Sequence, residues 1–204
     1  GGPDVELLFN NDSRIFYYVI PDTNAEKGGW KRVEICDHTN GEGIGVGDMD
    51  GDGRLDIACA HYPVHRQPAP REIKWLKNPG DGSGNWQEFI VGEHPAQWCD
   101  RLAVADLNGD NRLDIIISEE HSPGNPRAHT GWLEAPDDPT QRNWKHHMLV
   151  VQDTTNSMDI ADVDQDGDMD VILGEHRGEK KLSIWENNGK GSFTEHIIDR
   201  GKES

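Results

Sequence analysis

The nine-residue stretch DMDGDGRLD, at residues 48–56, occurs three times along the chain in closely similar form. It returns as DLNGDNRLD at residues 106–114 and as DVDQDGDMD at residues 162–170, so that the copies start 58 and then 56 residues apart. A nearly constant period of this length is typical of proteins in which each repeat forms one unit and neighbouring units share a core. The three stretches therefore predict a repeat architecture.

Aromatic residues follow the same period. One set opens equivalent segments and a second set lies elsewhere in each repeat: Trp30, Trp86, Trp144 and Phe193, and Trp75, Trp132 and Trp185. Short apolar runs such as residues 55–60 alternate with clusters of turn-forming residues such as 78–82, without helical periodicity. Four short strands per repeat are the pattern of one propeller blade. We therefore predict an all-β fold, a β-propeller of four-stranded blades, with a solenoid of β-hairpins as the alternative.

The period divides the chain, taken as a single propeller region over residues 1–204, into the repeats 1–55, 56–113, 114–169 and 170–204. Residues 1–4 align with residues 53–56, the second half of an acidic stretch, and the last repeat stops where another inner strand is expected. The first and last repeats are therefore incomplete. We expect a fragment of a larger ring whose remaining blades come from the same or another chain. A four-bladed ring, or one ring completed by two chains, is the alternative.

Side-chain oxygens recur at positions 1, 3, 5 and 9 of the acidic stretches. These residues are Asp48, Asp50, Asp52 and Asp56; Asp106, Asn108, Asp110 and Asp114; and Asp162, Asp164, Asp166 and Asp170. Calcium takes six to eight oxygen ligands from alternate positions of a tight loop, including a backbone carbonyl at position 7. That position holds Arg54, Arg112 and Asp168. The sequence thus predicts about three Ca²⁺ sites, the second weaker because Asn108 replaces a carboxylate.

The residues around these ligands distinguish the predicted sites from EF-hands. Position 6 must turn sharply, and Gly53, Asn111 and Gly167 tolerate the left-handed conformation that such a turn needs. The bidentate glutamate of an EF-hand is absent from position 12, and an apolar strand follows instead of an amphipathic helix. The alternating oxygens are therefore expected between two strands.

The repeated Asp-x-Asp-x-Asp-Gly-x-x-Asp stretch before a strand resembles the FG-GAP/VCBS repeat family, which is similar to the calcium-bearing blades of the integrin α-subunit propeller. The resemblance extends over essentially the whole chain. It implies a seven-bladed ring in a protein that is secreted, at the cell surface or periplasmic, and that serves adhesion, carbohydrate recognition or polysaccharide processing. The first repeat lacks a complete acidic stretch, so a fourth metal site near Asp4 is not expected.

The connections at the other end of the strands carry histidine, arginine and tryptophan. The candidate ligand-binding residues are His61, Arg66, Trp98, Arg101, His121, Arg127, His129, His176 and Arg177. We expect the tryptophan to stack on a sugar ring and the arginines to bind carboxylates or hydroxyls. One alternative is that the recurring histidines only hydrogen-bond neighbouring blades. Another is a catalytic or transition-metal cluster of His61, His121 and His176.

Composition excludes other classes of function. The chain has 38 acidic and 20 basic residues and a formal net charge of −18, which argues against a nucleic-acid partner because neutralising phosphates requires a basic face. No run of 18 apolar residues occurs, so no membrane span is predicted. Cys36, Cys59 and Cys99 are odd in number and lack metal-type spacing, which predicts neither a disulfide framework nor a zinc site.

Together these patterns predict a calcium-binding β-propeller that acts as a binding or adhesion module for glycan or protein ligands, on the face opposite the calcium loops. No nucleophile elbow, phosphate loop or zincin motif occurs. No catalytic residue is therefore assigned, and a binding module is favoured over an enzyme. The alternative is a catalytic or non-catalytic part of a polysaccharide-processing lyase or dehydratase with a His/Arg site on that face.

Overall fold

The computed structural model of the chain describes residues 5–11, 14–21, 24–37, 43–61, 71–95, 99–120 and 128–201. These ranges contain fifteen β-strands and one short 3-10 helix, Ala25–Lys27. All strand pairs are antiparallel. In the described part of the chain, no helix has the length and apolar character to cross a membrane. The predicted all-β fold class is confirmed.

The strands form four sheets in which neighbours follow chain order. Sheet I contains β1 (Val5–Asn11), β2 (Arg14–Val19) and β3 (Lys31–Cys36). Sheet II contains β4 (Ile44–Gly47), β5 (Asp56–His61), β6 (Arg71–Lys77) and β7 (Gln87–His94). Sheet III contains β8 (Cys99–Ala105), β9 (Asp114–Glu119), β10 (Ala128–Glu134) and β11 (Lys145–Gln152). Sheet IV contains β12 (Ser157–Ala161), β13 (Asp170–Gly174), β14 (Lys181–Asn187) and β15 (Phe193–Arg200).

The sheets keep the period of the sequence but begin one strand earlier than the repeats do. Each acidic stretch joins the first and second strands of a sheet, so the repeat boundaries after residues 55, 113 and 169 fall within sheets II, III and IV. The first strands lie next to one another, because β8 contacts both β4 and β12. This places the three acidic stretches at the same end of neighbouring strands.

The second strand of a sheet is buried on both faces, which explains its uninterrupted apolar sequence. In β9, Ile115 and Ile117 pack toward sheet II, whereas Ile116 packs toward sheet IV. Successive side chains alternate between the faces of a strand, so one strand serves two interfaces. We call the side of Ile116, toward the following sheet, the forward face, and the side of Ile115 the backward face.

Hydrophobic clusters join each pair of consecutive sheets. The aromatic residues that precede or open the fourth strands lie in these clusters on the backward face: Trp86 between sheets I and II, Trp144 between II and III, and Phe193 between III and IV. The equivalence of these three residues, predicted from the period, is confirmed, whereas Trp30 of the predicted set lies in none of the clusters.

The tryptophans of the third strands do not share one orientation. Trp132 pairs with Ile116 and therefore lies on the forward face. Trp185 pairs with Val171, which packs backward against sheet III, and Ile184 takes the place equivalent to Trp132. The predicted equivalence of Trp185 with Trp132 is therefore wrong, because a shift of one residue along a strand moves a side chain to the other face.

The forward face of sheet IV differs from those of sheets II and III in its exposure. Position 2 of the acidic stretches packs on the forward face, where Met49 and Leu107 are 5% and 0% exposed, whereas Val163 is 41% exposed. Val163, Ile184 and Ile198 line a shallow cavity of about 270 Å³ on this face. Within the described ranges, no further sheet covers it.

Candidate metal centres

Three acidic loops connect the first and second strands of sheets II, III and IV: loop 1 (residues 48–56), loop 2 (106–114) and loop 3 (162–170). In loop 1, the backbone amides of Asp52 and Gly53 donate to the Asp48 carboxylate at 3.0 and 2.8 Å. The equivalent bonds in loops 2 and 3 measure 2.7 to 3.2 Å. Because the same amides close each loop around its first carboxylate, all three loops share one local hydrogen-bond pattern.

The loops also share left-handed backbone at two positions. Position 6 has φ of 83° at Gly53, 63° at Asn111 and 100° at Gly167, as the residue types predict. Position 4 is left-handed as well, with φ of 73° at Gly51, 76° at Gly109 and 66° at Gln165. Position 4 was not predicted from the sequence: two glycines were the available signal, and Gln165 in the third loop obscured it. Two left-handed residues per loop turn the alternating side chains toward a common centre.

The aspartate at position 9 is buried in every loop and, through two hydrogen bonds, acts as a staple that joins the loop to the third strand. Asp56, Asp114 and Asp170 are at most 1% exposed. One carboxylate oxygen accepts the backbone N–H of position 2 at 2.9 to 3.1 Å, and the other accepts an N–H at the end of the third strand at 2.8 Å. Burial raises the pKa of Asp56 to about 6 and that of Asp114 to about 7. These carboxylates therefore hold the loop to the sheet besides being candidate ligands.

Two loops bring three carboxylates close together. Ligand oxygens of Asp48, Asp50 and Asp56 all lie within 4.8 Å of one another, and so do those of Asp162, Asp164 and Asp166. Among the described residues, loop 2 does not form such a group of three carboxylates. That difference agrees with the sequence of loop 2, in which Asn108 at position 3 replaces the carboxylate of the other two loops with an amide.

The donor set fits a hard cation. All side chains in the two groups offer oxygen, which is what calcium prefers. Asp50 Oδ1 is buried and has no hydrogen-bond partner, and a buried carboxylate oxygen without a partner carries the full cost of desolvation. A cation at this oxygen would remove that cost, so loop 1 has both the chemistry and an open coordination position for one.

The charges around the loops differ. In loop 1, partial burial opposes ionisation of Asp52, but the Lys77 ammonium and the Arg54 amide outweigh it and lower the pKa of Asp52. In loop 3, loss of solvent and the neighbouring Asp166 carboxylate raise the pKa of Asp164 and of Asp168. Loop 3 is therefore the more negative of the two groups.

Residues 48–117 match the FG-GAP-like repeat family. The matched segment contains loops 1 and 2 and confirms the resemblance over that range. Loop 3 lies outside the matched range but repeats the hydrogen bonds and left-handed positions of the two FG-GAP-like loops. No curated protein matches the chain.

At the end of the sheets opposite the loops, three of the predicted ligand-binding residues, His129, His176 and Arg177, form contacts within the protein. His129 Nδ1 lies 2.9 Å from Glu119, which is fully buried. Glu120 binds both His176, at 3.3 Å, and Arg177, at 3.1 Å, and so connects sheet III to sheet IV. The Glu120 contacts link neighbouring sheets, as one alternative from the sequence proposed, whereas the His129–Glu119 contact lies within sheet III.

The remaining predicted residues divide into placed and undescribed ones. Arg101 is exposed and lies 3.1 Å from the Asp100 carboxylate, and His61 ends β5 with a partly exposed side chain. Arg66, Trp98, His121 and Arg127, and Asp4 at the other end, lie outside the described residues. The predicted cluster of His61, His121 and His176 therefore has only two described members.

A histidine pair between sheets II and III, with one ring fully buried, was not predicted from the sequence. His94 is 0% exposed, and its Nδ1 lies 3.0 Å from His146 Nε2 while its Nε2 lies 3.3 Å from the His129 carbonyl. The carbonyl can only accept, so His94 Nε2 donates and, with His94 neutral, His146 donates to its Nδ1. Burial lowers the pKa of His94 to about 3. No spacing in the sequence signals this contact, because the rings come from different sheets.

A second buried polar cluster joins sheets I and II. Lys74 is 2% exposed, and its Nζ donates to Cys36 Sγ at 3.2 Å and to Glu88 at 2.9 Å. Cys59 pairs with Lys74 across the strands, and burial raises the pKa of this thiol to about 12. Cys36, Cys59 and Cys99 are all buried, and they form no disulfide bond among the described residues.

Proposed function

We propose that this chain is a calcium-binding β-propeller region that serves as a binding module. The observation that carries the proposal is the pair of carboxylate groups in loops 1 and 3, each with three ligand oxygens within 4.8 Å. Without a cation these carboxylates repel one another, and a cation that binds only the folded chain stabilises it by mass action. Asp48, Asp50 and Asp56 would hold one Ca²⁺, and Asp162, Asp164 and Asp166 another.

Three features support the propeller arrangement. The sheets are antiparallel meanders, their first strands lie side by side at β4, β8 and β12, and consecutive sheets pack face to face. These are properties of blades around an axis. The exposed forward face of sheet IV, with Val163 in the place of Leu107, has the composition to accept another such sheet. We therefore place these four sheets in a larger ring, whose remaining blades come from the same or another chain.

The calcium proposal is tested by thermal unfolding. We expect millimolar CaCl₂, added after chelator treatment, to raise the Tm by several degrees, and EDTA to reverse the change. MgCl₂ at the same concentration serves as the control for ionic strength, since Mg²⁺ demands a smaller octahedral site. A Tm that is the same in CaCl₂ and EDTA would contradict the proposal.

The ligand proposal concerns the end of the sheets opposite the loops. Arg101 and His61 remain partly or fully exposed there and can contact a glycan or a protein. Secretion, surface display or a periplasmic location would keep calcium sites of this kind filled. A glycan array probed in calcium, with Arg101→Ala as the matched variant, tests the proposal. Binding that the variant retains in full would place the ligand elsewhere.

One contact favours the enzymatic alternative. His129 is 26% exposed, and its Nδ1 is held at 2.9 Å by the buried Glu119 carboxylate, which leaves Nε2 available as a general base. Such a pair suits proton abstraction in a polysaccharide lyase. The test is formation of an unsaturated sugar product from uronate polymers, compared with His129→Gln. A wild-type protein that yields no product leaves the binding module as the function.

A further inference from the structure

The residue just before the backbone N–H that binds the position-9 aspartate, near the end of the third strand, differs in charge among the three acidic loops. Lys77, Glu134 and Glu186 occupy this place in β6, β10 and β14. Their equivalence follows from the hydrogen bonds, because the residue after each of them donates its backbone N–H to the buried position-9 aspartate at 2.8 Å. These donors are Asn78, Ala135 and Asn187. One structural position therefore carries a cation beside loop 1 and an anion beside loops 2 and 3.

Lys77 reaches into loop 1. Its Nζ contacts the Asp50 carboxylate and lies 3.0 Å from Asp52 Oδ2. Asp50 is one of the three grouped carboxylates of the loop, and its side chain is only 16% exposed. The ammonium thus places one positive charge among oxygens that the proposed calcium ion would use.

Glu186 has the opposite effect on loop 3. It lines the same cavity as Asp164 and Asp170, and its other contact is His196 Nε2 at 2.6 Å. Within the described residues, no lysine or arginine forms an ion pair with a loop 3 carboxylate. A cation arriving at loop 3 therefore meets an additional carboxylate in place of an ammonium.

We propose that Lys77 is a tethered cation that competes with calcium for loop 1, so that the charge at this strand end sets the calcium affinity of each loop. The inference rests on the proposed calcium function and ranks its sites: loop 3 binds first, and loop 1 fills only when calcium displaces the ammonium. Lysine can withdraw without disturbing the sheet, because its charge lies at the end of a flexible stem. The repulsion between the ammonium and a divalent ion a few Å apart lowers affinity by about tenfold.

Isothermal titration of the chelator-treated chain with CaCl₂ tests this inference. Lys77→Met removes the charge at similar size, and we expect it to tighten one class of site about tenfold. Lys31→Met, at an exposed lysine of β3 in sheet I, removes the same net charge outside the sheets that carry the loops and is the matched control. Adding Asp50→Asn to Lys77→Met should abolish the tightened class and so assign it to loop 1. Glu186→Lys, the reciprocal change, should weaken the tightest class.

The outcomes separate the two proposals. If no variant takes up calcium, the proposed calcium function fails. If the wild type binds calcium and Lys77→Met behaves like Lys31→Met, the calcium function stands and the role of Lys77 is overturned. Tm values measured in EDTA show whether each variant folds. Lys77→Gln provides a second neutral side chain if the methionine variant does not.

Discussion

The buried aspartate at position 9 of each loop combines two roles that the sequence cannot separate. Spacing alone makes Asp56, Asp114 and Asp170 candidate metal ligands. In the structure each also ties position 2 of its loop to the end of the third strand through both carboxylate oxygens. The position-9 aspartate therefore stabilises the fold with or without a cation, whereas the side chains at positions 1, 3 and 5 mainly shape the loop.

This division predicts different costs for two substitutions in loop 3. Asp170→Ala leaves the amides of Val163 and Asn187 without a partner, so we expect it to lower the free energy of unfolding by roughly 2–4 kcal/mol even in EDTA. Asp164→Ala removes an exposed, repelled carboxylate and should change stability little in EDTA while reducing the stabilisation by calcium. Urea unfolding in EDTA and in CaCl₂ measures both. Equal losses of unfolding free energy for the two variants in EDTA would contradict the structural role of Asp170.

His94 predicts a dependence of stability on pH. Its pKa is about 3 in the fold and about 6.5 in the unfolded chain, so between these values the unfolded state binds the extra proton. The contribution of His94 to stability is therefore lost as the pH falls below 6.5, by on the order of 2 kcal/mol between pH 7 and pH 5. The raised pKa values of Asp56 and Asp114 act in the opposite direction over this range, so the difference between wild type and variant measures the contribution of His94. His94→Gln keeps a donor and an acceptor and should flatten this loss. His196→Gln, a half-exposed histidine of β15, is the control.

Tm profiles from pH 5 to pH 7.5 distinguish the two variants. The neighbouring His146 has a pKa lowered by burial as well, so the wild-type slope contains contributions of the same sign from both rings. Parallel profiles for the wild type and His94→Gln would assign the acid sensitivity to other groups.

At the scale of single elements, the sequence predicts those features that depend on one loop or one strand alone. Left-handed backbone at Gly53 and Gly167 follows from residue type, and the apolar run of β9 follows from burial on both faces. The orientation of Trp185 was not readable, because a shift of one residue in the pairing of β14 with β13 reverses its face. Pairing register depends on the partner strand, which a period of 56 to 58 residues does not resolve to one residue.

The side-chain partners at the opposite end of the sheets depend on more than one element. Glu120 of sheet III binds His176 and Arg177 of sheet IV, and His94 of sheet II meets His146 of sheet III. Each contact needs the relative placement of two sheets. The sequence therefore predicted polar residues at this end but could not say which of them hold the sheets together.

At the scale of the whole molecule, the forward-face residues Leu107 and Val163 differ in burial, and this difference predicts different losses of stability on truncation. Leu107→Ala should cost about 2–4 kcal/mol, because it empties a site buried between sheets III and IV. Val163→Ala should cost under about 1 kcal/mol, because its side chain is 41% exposed. Urea unfolding at low protein concentration measures both values. A cost for Val163→Ala equal to that for Leu107→Ala would mean that another part of the assembly covers sheet IV.

The arrangement of hydrophobic clusters also has a consequence for local opening. Among the described residues, the clusters join only consecutive sheets, so sheets II and III are supported on both faces and sheets I and IV on one. In a chain of units coupled only to their neighbours, the end unit frays first. Loop 3 lies in sheet IV, one of the two described sheets that are supported on a single face. A cation bound there would slow amide hydrogen exchange in β12 to β15 more than one in loop 1 slows it in sheet II. It would thereby stabilise a sheet that opens more easily than sheets II and III.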